Sequence, residues 1–227
     1  MTDREEILSR FTSLQVRLNE ASGKWGGVGI LPVTKTVPAE RILYLREACV
    51  REIGENRVQE AMEKHPLLKD HFAFRIIGRL QTNKARYIAD FAKSVDSLDR
   101  IELAEALEKA MAKKDRQLEV LIEVNIGKDP AKGGINPEDT LAFLKSMRAY
   151  EHLSVRGLMT VAPIVNEPEE ARVYFRSMRR LFDEAHAFDK NIEILSMGMS
   201  KDCFVAAEEG ATVVRVGSGI FGARVYA

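Results

Sequence analysis

Gly29-Ile30-Leu31-Pro32-Val33-Thr34-Lys35 reads as a short apolar strand with a cation at its C-terminal end, and Thr36-Val37-Pro38-Ala39-Glu40 as the turn that leads into a helix. Pro38 suits the first helical position, where its missing N–H costs nothing. Outward from this unit the pattern repeats. Strand-like stretches fall at 28–35, 51–55, 73–78, 93–97, 118–125, 153–161, 192–197 and 212–217. Helix-like stretches lie near 38–49, 56–69, 81–91, 99–114, 136–149, 167–188 and 200–209. Strands alternating with helices in this number predict a (β/α)8 barrel, an α/β fold. Pairs such as Leu121-Ile122 and Val213-Val214 give the strands the continuous apolar character of parallel strands buried on both faces.

Before the barrel, residues 3–20 predict an amphipathic helix, with Ile7, Phe11, Leu14 and Leu18 on one stripe. Asn136-Pro137 offers an N-cap and an N1 proline, and Gly210 follows the helix 200–209 as a C′ glycine. The chain has 227 residues. It ends almost at once after the eighth strand, so a single domain over 1–227 is expected. A doubly wound sheet is the alternative.

Lys+Arg and Asp+Glu are both 34, which gives no global pull toward nucleic acid or an anionic membrane. No apolar run approaches the ~20 residues of a membrane span. The N-terminus is charged rather than leader-like. Cys49 and Cys203 are far apart and outside any CxxC, which points to a reducing cytoplasm. His65, His71, His152 and His186 have no metal-ligand spacing.

A lysine at the C-terminal tip of a barrel strand points into the mouth, where such folds keep their chemistry. Among apolar neighbours its neutral amine attacks aldehydes, although Lys35 taken alone reads better as a solvated cation. The other strand ends add weight. Ser200 stands at the start of the helix 200–209, where it can cap the helix or donate to an anion. Gly217-Ser218-Gly219 lets backbone amides approach a phosphate. These are the loops after strands 7 and 8, a common phosphate site in barrels. An amine for an aldehyde and a phosphate cradle are the equipment for pyridoxal phosphate. Arg215 either faces the cofactor's ring nitrogen or forms an ion pair inside the barrel with Asp96 or Glu123. Lys132, in the glycine-flanked loop after strand 5, is a candidate second amine.

The chain resembles the single-domain pyridoxal phosphate homeostasis proteins, which are similar to the barrel domain of alanine racemase. The likeness runs from about residue 29 onward. It is carried by Val33-Thr34-Lys35, Gly54-Glu55-Asn56-Arg57-Val58-Gln59-Glu60, Ile77-Gly78-Arg79-Leu80-Gln81-Thr82-Asn83-Lys84 and Val95-Asp96-Ser97. Leu195-Ser196-Met197-Gly198-Met199-Ser200 and Val214-Arg215-Val216-Gly217-Ser218-Gly219-Ile220-Phe221-Gly222-Ala223-Arg224 complete it. The resemblance implies an internal aldimine on Lys35 and Asn56 beside the cofactor. It implies Met199, Ser200, Gly217 and Ser218 around the phosphate, and Arg215 at the ring nitrogen. It further implies a protein that buffers pyridoxal phosphate or delivers it to apo-enzymes, without cofactor-dependent turnover; a monomer is expected. Arg75 stands where the family usually has histidine, Arg79 and Lys201 occupy variable positions, and Gly127 and Ala131 stand where serine is common.

The competing reading is a racemase or lyase using the same cofactor. Racemisation needs an acid/base on each face of the substrate Cα. Alanine racemase draws one from a tyrosine on a further domain, whereas Tyr226 here is assigned to packing. A third reading, a phosphate-binding barrel enzyme without pyridoxal, leaves Lys35 unexplained.

Overall fold

The computed structural model describes residues 1–222; the motif residues Ala223 and Arg224, and Tyr226, lie outside them. Helix α1 (Asp3–Ser22) opens with a capping box. The Glu5 N–H donates to the Thr2 hydroxyl at 3.3 Å, and the Thr2 N–H donates to the Glu5 carboxylate at 2.8 Å. The predicted stripe of Ile7, Phe11, Leu14 and Leu18 is buried.

The remaining elements alternate. They are β1 (Gly29–Pro32), α2 (Ala39–Leu43), β2 (Glu52–Glu55), α3 (Val58–Leu68), β3 (Ala73–Ile76), α4 (Ala85–Ile88), β4 (Ala92–Leu98) and α5 (Ile101–Ala112). Then come β5 (Leu118–Glu123), α6 (Thr140–Ser146), β6 (Leu153–Met159), α7 (Arg172–Phe188), β7 (Ile194–Met199), α8 (Cys203–Glu208), β8 (Val213–Val216) and α9 (Ser218–Phe221). All seven strand pairings are parallel, in the order β1-β8-β7-β6-β5-β4-β3-β2. A bridge between Val33 and Gly54 brings the two ends together, with the Thr34 N–H on the Gly54 carbonyl at 3.0 Å. That closure excludes the doubly wound sheet. Gly217-Ser218-Gly219-Ile220-Phe221-Gly222 does have the Gly-x-Gly-x-x-Gly spacing of a dinucleotide fingerprint. It follows the last strand of the barrel, however, and so opens no βαβ unit.

Strand alternation divides the sheet's side chains. Ile53, Phe74, Ile76, Val95, Val120, Ile122, Leu195 and Val214 join the core between sheet and helices. The alternate residues of neighbouring strands are unusually polar. Arg75 donates through Nε and Nη2 to Asp96 at 3.0 and 2.8 Å, and through Nη1 to Glu52 at 3.1 Å. The arginine that departs from the family's histidine is therefore matched by two carboxylates.

Several boundaries differ from the expectation, each for a local reason. The strand from 28 stops at Pro32, and Lys35 stands in the turn beyond it. The helix at 38–49 divides into α2 and a 3-10 turn, Tyr44–Ala48, ended by Cys49 at φ +58°. The segment 81–91 yields only a 3-10 turn and the short α4. Helix α8 begins at Cys203 rather than Ser200, because Asp202 folds back to accept the Met199 N–H at 2.6 Å. Its C-terminus is as predicted. Gly210 adopts φ +86°, its N–H reaches the Ala207 carbonyl, and the Ala211 N–H reaches that of Ala206.

Candidate functional site

The seven residues singled out from sequence fall on one arc of the barrel, at or just beyond the C-terminal ends of β7, β8, β1 and β2. Register fixes their neighbours. Met199 pairs with Arg215, and Leu31, four residues before Lys35, pairs with Arg215 from the other side. The Val33 N–H donates to the Val216 carbonyl at 2.8 Å, so the approach to Lys35 runs beside the approach to Gly217 and Ser218.

Lys35 is half-buried, and among the described residues its amine has no hydrogen bond or ion pair. Its backbone is held on both sides by one cluster. Lys64, on α3, donates to the Thr34 carbonyl at 2.6 Å, to Glu55 at 2.8 Å and to Glu60 at 2.7 Å. Glu60 in turn accepts the Thr36 N–H, and Thr36 holds φ +62°, a left-handed conformation that a β-branched residue rarely adopts unsupported. The Thr34 hydroxyl donates to Glu55 at 2.6 Å. Burial pushes the Glu55 carboxyl above its ordinary value, against Lys64, and its Oε2 is buried without a partner.

Asn56 follows Glu55 and is half-buried. Gly78, on the next strand end, lies against it so closely that a Cβ there would sit 2.2 Å from the Asn56 carbonyl oxygen. Any side chain at 78 would push the Asn56 loop aside.

The Gly217 N–H points at the Ser200 hydroxyl oxygen, 3.4 Å away. Ser200 thus sits across from Gly217 rather than capping α8. Ser218 begins the single turn of α9, where an open loop was expected. The side chain of Met199 is exposed, and its N–H is already taken by Asp202.

Arg215 is buried, yet makes neither of the direct ion pairs considered for it. Its Nη1 donates to the Ser196 carbonyl at 2.9 Å and hydroxyl at 2.8 Å, and its Nη2 to the Thr160 carbonyl at 2.8 Å. Those bonds use three of the guanidinium's five N–H groups and fix its plane. Burial pulls Arg215 below its ordinary value, while the fields of Asp96, Glu123 and Asp202 oppose that pull. Burial, with Asp99 beside it, lifts Glu123 to about 7, against Arg215 and Arg79.

Sequence reasoning missed Lys64, and weighed Glu123 only as an ion-pair partner. The i,i+4 spacing of Glu60 and Lys64 was the available signal for the first. Ser196 and Thr160 stand at strand ends in the sequence, but nothing there marks them as partners of Arg215, because that role depends on where the Arg215 side chain turns. Among the described residues no group of three or more His, Cys, Asp or Glu side chains is placed to hold a metal, and no helix is long and apolar enough to cross a membrane.

The arc suits a small phosphorylated aldehyde. Among the described residues it offers an unpartnered amine, a hydroxyl and backbone amides from two facing loops, and a guanidinium locked in place with two N–H groups to spare. Comparisons with known proteins bear on this arrangement. The alanine racemase N-terminal domain family matches residues 12–225. The pyridoxal phosphate homeostasis protein of Aquifex aeolicus is 42% identical over 224 residues, covering 97% of this chain and 98% of that protein. Its namesake in Schizosaccharomyces pombe is 31% identical, with 90% and 88% covered. PipY of Synechococcus elongatus, solved with PLP bound, superposes with a TM-score of 0.83 at 32% identity, covering 95% of this chain and all of that one. An alanine racemase of Clostridium difficile shares the fold, with a TM-score of 0.78 at 13% identity, over 95% of this chain and 56% of its own. With its barrel matched nearly end to end, this chain belongs to the alanine racemase N-terminal domain family and, within it, to the pyridoxal phosphate homeostasis proteins.

Proposed function

We propose that this chain binds pyridoxal 5′-phosphate at the mouth of its barrel, with Lys35 as the carrier amine, and takes part in pyridoxal phosphate homeostasis. The observation that carries the reading is the partner-free Lys35 amine beside the Ser200–Gly217 pair, above a fixed Arg215. The PLP-bound state of PipY and the names of the curated relatives support it. When bound, the cofactor supplies an aldehyde that an amine captures reversibly. Each residue then has a task. Ser200, Gly217 and Ser218 donate to phosphate oxygens. Asn56 lines the side nearest Lys35, and Met199 covers the phosphate side. Arg215 donates to the ring nitrogen and holds it unprotonated.

The role we infer is holding and release to recipient apo-enzymes, by a monomer, without substrate turnover. The relatives' naming as homeostasis proteins supports that choice over a racemase or lyase. Cys49 and Cys203 are unpaired, in keeping with a reducing cytoplasm. The deciding experiment is an absorbance spectrum of the protein with added pyridoxal phosphate, before and after borohydride, followed by peptide mapping. A visible band that reduction abolishes, with the label on Lys35, is expected. A label elsewhere, or no band, defeats the reading.

A further inference from the structure

Beside the proposed cofactor site, a groove of about 800 Å³ runs between the loops that follow β2, β3 and β4. Its walls are Asn56 to Gln59, Arg79 to Lys84, and Arg100. Among the described residues four cations line it, Arg57, Arg79, Lys84 and Arg100, and no carboxylate does. Arg100 is satisfied by Asp99 and by the Leu80 carbonyl at 2.8 Å, and Lys84 lies over the Tyr87 ring. Arg57 and Arg79 are exposed and, among the described residues, have neither hydrogen bond nor ion pair. Arg46 and Arg51 are likewise exposed without a hydrogen bond or ion pair among the described residues, but their pocket also holds Glu47 and Asp70. Elsewhere Arg172 meets three glutamates, and Arg4, Arg41, Arg156 and Arg179 each meet an acid. In a chain of zero net charge, a groove whose two unpaired guanidiniums have no acid beside them among the described residues favours an external anion.

We propose that this groove docks an acidic, extended segment of a partner protein. Shape and chemistry select that occupant. The volume is several times that of a single phosphate or carboxylate. The cations come from three loops, and the two without partners, Arg57 and Arg79, are exposed, so no buried donors converge on one small anion. Single-stranded nucleic acid uses aromatic faces for its bases, and among the described residues no aromatic side chain lines the groove. Gln59, Gln81 and Asn83 carry amides that both donate and accept, as peptide groups require of a partner, while the guanidiniums take carboxylates in pairs. Asn56 belongs to both the groove and the proposed cofactor site, so an occupant lies against the loop beside Lys35. That the docked protein receives the cofactor rests on the proposed function; the docking itself does not.

The test uses the full chain and a fluorescein-labelled octaglutamate peptide, followed by fluorescence anisotropy at about 50 mM salt, where surface charges are least screened. Saturable binding is expected. Arg57→Glu with Arg79→Glu should weaken it at least about tenfold, a loss typical of reversed interface charges. Arg180→Glu with Lys190→Glu, on the α7 side of the barrel, should leave it unchanged. No peptide binding, or an equal loss in the control pair, overturns the proposal. So does displacement by inorganic phosphate at matched ionic strength, or tighter binding of a uridylate decamer through the same arginines. All variants touch exposed side chains, and thermal melting confirms that they fold. Cofactor loading is followed in parallel by absorbance. A chain that binds peptide but never loads defeats the proposed function and leaves the docking site standing.

Discussion

The Lys64 ammonium donates to the Thr34 carbonyl across 2.6 Å, one residue before Lys35, while its partner Glu60 holds the Thr36 N–H one residue after it. The turn that presents Lys35 is thus fastened to α3 through the Lys64–Glu60 pair, one member on each side. Lys64→Met removes that cation and leaves Glu55, fully buried, facing only Thr34. Breaking a buried pair from one side costs about 3–5 kcal/mol. Glu55, already raised by burial, escapes part of that cost by taking up a proton, so the loss should be smaller at pH 5 than at pH 8. Urea midpoints at both values read the stability. Cofactor loading should fall as well, and Lys64→Arg should restore part of it. Unchanged loading in a folded Lys64→Met protein would show that Lys64 does not position Lys35.

Glu123 gives a second pH dependence. Its folded value of about 7 lies above the ordinary 4.5, so between those limits the folded chain keeps a proton that the unfolded chain has released. The resulting stabilisation is complete below the ordinary value and is lost as pH rises through about 7. Its size is on the order of 3 kcal/mol at most. Glu123→Gln, a neutral match in shape, removes this contribution to the slope. The variant should gain on the wild type in urea midpoint between pH 5 and pH 8. Parallel profiles would mean that Glu123 ionises normally.

How much of this was legible beforehand depends on what each feature needs. The eight strands follow from local apolar runs and turn residues, and every one of them forms. Lys35, Ser200, Gly217 and Ser218 could be gathered on one arc because barrel topology places successive strand ends together. The Arg215 contacts were not legible. They require the carbonyls of Thr160 and Ser196, residues 55 and 19 positions away, to converge on one side chain. The α8 start was misplaced because Asp202 competes with Ser200 as the turn's acceptor and wins through the Met199 N–H. The helical turn at Ser218 was hidden by its glycines, which signal a loop more strongly than a helix.

Lys35→Ala separates chemistry from folding. The side chain is half-buried and bonded to nothing among the described residues, so its removal should change stability by no more than about 0.5 kcal/mol. The borohydride-fixed label should disappear from the peptide that carries residue 35. A variant that still acquires label at the wild-type extent would place the carrier amine elsewhere.

Lys132 lies in the loop after β5, where its amine reaches the Ala162 carbonyl at 3.4 Å. That contact holds it at the end of β6, on the rim of the same mouth. If it captures the cofactor in passing, Lys132→Ala should slow transfer to an acceptor apo-enzyme about tenfold or less, with the final extent unchanged. Equal transfer rates from wild type and variant would assign Lys132 to the surface alone.

Arg215 carries the most demanding prediction, because its structural and electronic roles must be separated. A carboxylate in its place would stand near Glu123 and Asp96 and strand the Thr160 and Ser196 carbonyls, so Arg215→Glu should fold poorly. Arg215→Gln is the better probe. It keeps a donor for one carbonyl, removes the charge, and should cost about 3 kcal/mol for the bonds lost. A cation that keeps its proton and donates to the ring nitrogen holds that nitrogen unprotonated. With the glutamine in place the nitrogen is free to take a proton. The nitrogen NMR signal of isotope-labelled cofactor should therefore move toward the pyridinium position in the variant, at a pH where both proteins are folded and loaded. A purely structural arginine would lower the urea midpoint and leave that signal where it is. Such a result would remove Arg215 from the cofactor site.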